Sequence, residues 1–290
     1  MSTELNVIKE DVVDVITVKI KEFKENKTLN IPDNYSIDNA LKSAWLTLQE
    51  TTDKNKKKAL EVCTKNSIAN ALLDMVIQGL SPAKKQCYFI VRGNKLCLDS
   101  SYFGSMAVAK RLNEVIDIAS NVIYEGDNFV YEIDNETGKK KIIKHEQKLE
   151  NIDNNKILGV YTLIKTKNSM GDHLEIMNMD QVRAAWNMGT GYGKSPAHKN
   201  FPDQMALKTV INRAVKYYVN TSDDSDILVG AYNRTLESGF DNTNKQIDTE
   251  ANTGKPITFD TVDEDVEEGD LTDEEKMEIL AAEAEYERDF

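Results

Sequence analysis

GLSPAKKQCYFIVRGNKLCLDSSYFGSMAVAKR, residues Gly79 to Arg111, holds the signals from which the fold can be read: a helix end, a hairpin and a second helix start. Gly79 closes an apolar-periodic helix, because a glycine takes positive φ at little cost, and Pro82 prevents the helix from resuming. Two short strands follow. A two-residue turn at Gly93-Asn94, with glycine at its first central position, sets Arg92 opposite Lys95, Val91 opposite Leu96 and Phe89 opposite Leu98. Phe89, Val91, Leu96 and Leu98 then share one face, while Arg92 and Lys95 share the other. Ser100 or Ser101 can cap the next helix, which carries Tyr102, Met106, Ala109 and Leu112 on one side and leaves Lys110 and Arg111 outside that arc. Six basic residues here (Lys84, Lys85, Arg92, Lys95, Lys110, Arg111) face one acid, Asp99.

Outward from this stretch, helices precede and strands follow. Leu5 to Phe23 suits an amphipathic helix that packs on its own domain or on a neighbouring subunit, ahead of a proline-containing loop. Ser36 caps a clearer helix, with Ile37, Ala40, Leu41, Ala44, Trp45 and Leu48 in one stripe. The lysine run Lys54 to Lys58 opens a third helix, expected to continue through Leu60 and Leu72 to Gly79. After Arg111 the runs VIDIASNVIY, FVYEI, KKIIK, ILGVYTLIKT and HLEIMNM read as short strands between turn-forming residues. They predict an α+β fold: a mainly antiparallel sheet with the hairpin, flanked by helices. Three segments are expected: residues 1–35 an N-terminal helical arm, 36–240 the body, and 241–290 a flexible acidic linker ending in a short helix.

Helical patterns return at Asp180, whose carboxylate can cap QVRAAWNM and leave Arg183 and Asn187 as a polar pair. The loop GTGYGKSPAHKN leads to FPDQMALKTVINRAVKYY, with Pro202 suited to a first turn. At 100° per residue, Ala206, Leu207, Val210, Ile211, Ala214, Tyr217 and Tyr218 take one half of that helix. Gln204, Lys208, Thr209, Asn212, Arg213 and Lys216 take the other, which holds no acid.

The net charge of −13 argues against a polyanionic partner until it is located. Residues 241–290 hold 18 acids and 4 bases, so the remaining 240 residues are close to neutral. A neutral body with basic clusters is compatible with nucleic acid. Surfaces normally mix signs, so the acid-free helix half and the Lys110-Arg111 step are the places to meet phosphates. The candidate contacts are Lys110, Arg111, Arg183, Asn187, Lys194, Ser195, Lys199, Asn200, Phe201, Gln204, Lys208, Asn212, Arg213 and Lys216. Among nearby aromatics (Tyr88, Tyr102, Tyr192, Phe201), Phe201 is placed best for stacking on a base, while Trp186 reads first as a core residue.

Other chemistries fare worse. The loop GTGYGKSP imitates a phosphate-binding loop, but Gly189 and Gly193 are one residue too close, a helix rather than a strand precedes them, and Pro196 follows Lys194-Ser195. Cys63, Cys87 and Cys97 form no CxxC pair and the three histidines are scattered, so no zinc site is expected. The small odd cysteine count suits a reducing compartment. No signal peptide is read in MSTELNVIKEDVVDV, and no run approaches the ~18 apolar residues of a membrane span. No acid cluster with nuclease spacing is evident, although such sites assemble from distant residues, and a metal-dependent nuclease or nucleotide hydrolase is the alternative function.

GLSPAKKQCYFI, LxLDSSYFGSMAVAKR and MALKTVINRAVKYY together resemble the RecT family of phage single-strand annealing proteins, over Leu41 to Tyr218 in order and at similar spacing. The resemblance implies a DNA recombinase without catalytic residues, cofactor or ATP, holding single-stranded DNA and an annealed duplex intermediate in a positive groove. It also implies self-assembly into rings or helical filaments, with a phage exonuclease and a host single-strand-binding protein as partners in the host cytoplasm, met through the acidic tail. Tyr102 to Arg111 and Lys208 to Lys216 match the family's signature segments. Where the family often has consecutive basic residues, this chain has Asn212-Arg213, so Asn212 offers a hydrogen bond without charge.

Overall fold

The computed structural model describes residues 2–29, 31–32, 34–112, 115–167, 171–188, 196–222 and 226–237. The expected acidic tail, its short helix, and Tyr192, Lys194 and Ser195 lie outside them. Helices and antiparallel strands alternate in blocks, as an α+β chain requires. The chain divides into two units, one made of residues up to Val108 with a later helix, Asp226–Glu237, and the other of Ala109–Ser222.

In the first unit α1 (Ser2–Glu25) buries Val12, Ile16 and Ile20, and α2 (Ile37–Glu50) starts at the Ser36 cap, whose side chain accepts from the Asn39 amide. The third expected helix is two. α3 (Ala59–Val62) stops at Cys63, and α4 (Lys65–Gln78) starts afresh because the Thr64 hydroxyl accepts from the Ser67 amide. Lys54–Lys58 is not the opening of a helix: the Asp53 carboxylate accepts from the Lys57 amide, and a bridge joins Thr52 to Lys58. α4 ends on Gly79 at φ 66°, whose amide donates back to the Met75 and Val76 carbonyls.

β1 (Cys87–Arg92) and β2 (Lys95–Ser100) pair in the register read from the sequence, Arg92 opposite Lys95 and Phe89 opposite Leu98. Gly93 sits at φ 59°. That is the left-handed conformation the turn demands. Ser101 caps α5 (Tyr102–Arg111), accepting from the Gly104 amide at 3.2 Å. α4 packs against α1, α2, β2 and α9 (Asp226–Glu237). Leu228, Ala231 and Tyr232 of α9 are buried, and Gln78 of α4 donates to the Ala231 carbonyl and to Thr235 Oγ1 at 3.2 and 2.6 Å.

In the second unit β3 (Val115–Tyr124), β6 (Ile157–Thr166) and β7 (His173–Asn178) form one antiparallel sheet in the order β3-β6-β7. Among the described residues the single sheet expected from the sequence is three: this one, the β1-β2 hairpin, and a ribbon of β4 (Asn128–Ile133) and β5 (Lys140–Glu146). One face of the central sheet, with Val122, Val160 and Met177, packs on Val182 of α6 (Met179–Met188) and on Ala206 and Val210 of α8 (Pro202–Asn220). The other face, with Ile123, Tyr161 and Leu174, packs on Phe129 and Ile142 of the ribbon. Covered on both faces, β6 is buried along most of its length, which is why it reads as a nearly continuous apolar run.

The ribbon is tied down at its base by a polar chain. Asp127 accepts from the Tyr124 amide and Gln147 Nε2, and stands 3.3 Å from His145 Nε2; His145 Nδ1 in turn meets the Tyr161 hydroxyl at 3.1 Å. Loss of water alone would raise the Asp127 carboxyl, but the hydrogen bonds it accepts, led by the Tyr124 amide, outweigh that and hold it below the usual carboxylate range.

Candidate nucleic-acid interface

α8 is the backbone of the candidate surface. Pro202 stands in its first turn, and its only acid is Asp203 in that same turn. Its buried arc is Met205, Ala206, Val210, Ile211, Ala214, Val215 and Val219. That arc is turned by about one residue from the sequence expectation: Tyr217 is 56% exposed, and Leu207 is only partly buried. The opposite half is as expected in composition. Gln204, Arg213 and Lys216 lie toward solvent, while Lys208 and Asn212 are half-buried.

The acid absent from this half of α8 comes from the neighbouring strand. Glu175 of β7 places Oε1 3.1 Å from Arg213 Nε and Oε2 3.6 Å from His173 Nε2, and the His173 ring stacks on Tyr217 at 4.4 Å. His173 first and Arg213 after it hold the Glu175 carboxyl below its ordinary range, against the loss of water at its half-buried position. Arg213 therefore faces solvent with one side of its guanidinium already engaged. Asn212 Oδ1 is buried without a hydrogen-bond partner among the described residues, so this amide is turned partly inward.

α6 supplies the second group. Its N-terminal cap is Asn178 rather than Asp180. The Gln181 amide donates to Asn178 Oδ1 at 2.8 Å, and the Asn178 amide donates to Gln181 Oε1 at 3.2 Å. The two bonds form a reciprocal box that satisfies two backbone donors at the helix start. Asp180 instead pairs with Arg183 at 3.4 Å on an exposed surface. Asn187 is also exposed. Pro196 begins a short helix, α7 (Pro196–Asn200), where the sequence suggested only loop, and it carries Lys199 and Asn200 into solvent ahead of Phe201, which is 43% exposed.

Arg183 and Lys199 come together at a pocket of about 190 Å³ whose other polar walls are Trp186, His198, Asn154 and Asn155. Sequence reasoning missed Asn154, Asn155 and His198, which sit in a turn and a helix too short to leave a periodic signal. Trp186 is partly buried against the core, and its indole N–H donates to Thr209 Oγ1 at 2.8 Å.

Lys110 ends α5 exposed and paired with Asp117 at 3.3 Å, beside a half-buried Arg111. Exposed pairs of this kind are weak and screened by salt, so a phosphate can compete for the lysine. Arg92 is different. It holds Asp99 through two hydrogen bonds of 3.1 and 3.3 Å, and both side chains are almost buried, so it leaves the basic cluster and works inside the hairpin. Tyr102 lies against Phe103 with ring centres 4.2 Å apart.

Among the described residues no group of three or more His, Cys, Asp or Glu could hold a metal ion, and no helix is long and apolar enough to cross a membrane. The molecule is thus a mixed helix-and-strand protein with antiparallel sheets, carrying cations on one face of a long helix. The sequence model of the RecT family matches residues 38–248, and the chain belongs to that family. It is 25% identical over 215 residues to Protein RecT of Escherichia coli (strain K12), an alignment covering 70% of this chain and 75% of that protein. Membership supports a role in single-strand annealing and DNA recombination.

Proposed function

We propose that this chain anneals complementary DNA strands by gripping the sugar-phosphate backbone, without ATP or any catalytic step. The observation that carries it is the polar half of α8, where exposed Arg213 and Lys216 and half-buried Lys208 are set along one helix whose only acid stands in its first turn. Phosphate contacts provide affinity with little sequence preference. Arg183, Asn187, Lys199, Asn200 and Gln204 extend the same surface with cations and amides, and Lys110, Arg111, Lys194 and Ser195 add further contacts.

Copies of the chain line up along one strand as a ring or helical filament and leave base edges free to sample a second strand. Base stacking of ~1–2 kcal/mol per step then drives pairing, so hydrolysis is unnecessary. In this scheme residues 36–240 bind and anneal, residues 1–35 serve as an arm between subunits, and the acidic residues 241–290 recruit an exonuclease and a single-strand-binding protein in the cytoplasm of the host.

The test is direct. Purified protein mixed with two dye-labelled complementary strands at low ionic strength, with no nucleoside triphosphate, should speed their joining as read by energy transfer. No acceleration, or acceleration only with a triphosphate, overturns the proposal. A parallel reaction with Mg²⁺ and one labelled strand should return that strand intact; shortening of the strand would favour a nuclease.

A further inference from the structure

The pocket between α6, α7 and the turn before β6 has a composition that backbone binding alone does not call for. Its volume of about 190 Å³ is small. Pockets for drug-sized ligands run to several hundred Å³, so this one suits a single flat ring system rather than a larger molecule. Ile157, Met179 and Pro202 make apolar walls. Trp186 and His198 meet edge to face at 4.7 Å with planes 74° apart, so aromatic surface lines the pocket in two directions. The bond from the Trp186 indole N–H to Thr209 fixes the ring and commits its polar edge, so its remaining contribution to a ligand is stacking surface.

The polar groups are placed to complement a nucleotide. Asn154 Nδ2 donates to Asp203 Oδ1 at 3.2 Å and Asn155 Nδ2 to Asp153 Oδ1 at 3.0 Å. These bonds engage the Nδ2 of each amide and leave its oxygen as the group that can accept from a ring or exocyclic N–H. Lys199 has no acidic partner among the described residues, and the partner of Arg183, Asp180, is itself 90% exposed, so both cations can reach a phosphate at the rim. Asp203, bonded to Asn154, disfavours a phosphate on the asparagine side and leaves the side of Arg183 and Lys199 for it.

We propose that this pocket takes one unpaired nucleobase, turned out of a bound single strand, with the flanking phosphates on Arg183 and Lys199. The inference rests on the single-strand-binding reading above and adds a base contact to it. A base held this way parks a nucleotide that has no partner while neighbouring bases pair.

Trp186 itself reports the event, since the chain has two tryptophans and the other, Trp45, is only 4% exposed. Oligothymidylate and an abasic strand of equal length and charge are each titrated into the full-length protein, with binding followed by anisotropy and Trp186 emission obtained by difference from Trp186→Phe. Both strands should bind, and only the base-bearing strand should quench Trp186. His198→Ala should lower the preference for the base-bearing strand about five-fold, the smaller end of a base–aromatic stack. Binding of both strands with no change in Trp186 emission, or with equal change, overturns the base pocket and leaves backbone binding standing. If neither strand binds, both readings fail together.

Discussion

α4 and α8 are helices of similar amino-acid type put to opposite uses. Nine of the 14 residues of α4 are buried, against seven of 19 in α8, so α4 is wrapped by neighbours while α8 keeps one side for solvent. The charges follow from this. Asp74 in α4 is only 16% exposed and is answered by Arg234 of α9 through hydrogen bonds of 2.7 and 3.2 Å. On α8, Arg213 is 52% exposed and its partner Glu175 leaves it accessible. A buried charge must be matched inside the fold, whereas an exposed one can be lent to a ligand.

The contrast breaks most visibly in stability. Leu72 is almost fully buried in α4. Its replacement by alanine leaves a cavity and should cost about 3 kcal/mol. Lys208→Ala on α8 removes no packed core and should stay within about 0.5 kcal/mol. Urea unfolding of both variants checks this, and equal losses would remove the distinction between the two helices.

Arg234→Ala comes next, because it strands the Asp74 carboxylate. The loss at neutral pH should be about 2 kcal/mol, less than for a fully buried pair because the guanidinium is half open to solvent. Burial already pushes Asp74 up from its usual range against the pull of Arg234. A carboxyl whose folded pKa is raised stabilises least when ionised, so without Arg234 its pKa rises further and the variant's deficit shrinks as pH falls through that value. Unfolding followed from pH 7 downward should show the gap to wild type closing; a gap that widens would mean Asp74 is not the stranded group.

The smallest effects sharpen the α8 side. Arg213→Ala should flatten the dependence of single-strand affinity on salt by about 0.7 in the log–log slope, the value of one phosphate contact. Glu175→Gln should raise affinity roughly two- to five-fold, the range of one exposed ion pair released. A Glu175→Gln variant that binds more weakly would show that Glu175 positions Arg213 rather than competing with DNA for it.

Some of this was plain in the residue order. β3 and β6 match the runs VIDIASNVIY and ILGVYTLIKT, and the β1-β2 register follows from one glycine turn, because both depend on neighbours a few residues apart. α9 left no clear signal: DILVGAYNRTLE carries Gly230 and several polar residues in its last turns, and its helix is held by Gln78 and Asp74 from far along the chain. The break between α3 and α4 was hidden because Thr64 caps from inside an apolar pattern that continues across it.

The order of amino acids determined the strands, the tight turns, the family, and which half of α8 is basic, since each depends on local periodicity or on motifs contiguous in the chain. Only the tertiary structure decided that the described strands form three sheets and that Arg92 is consumed by Asp99. The same holds for Glu175 reaching Arg213, and for two asparagines and a histidine meeting Arg183, Lys199 and Trp186 at one pocket. Those outcomes depend on which surfaces bury one another, and pairings across tens of residues leave no periodic trace in the sequence.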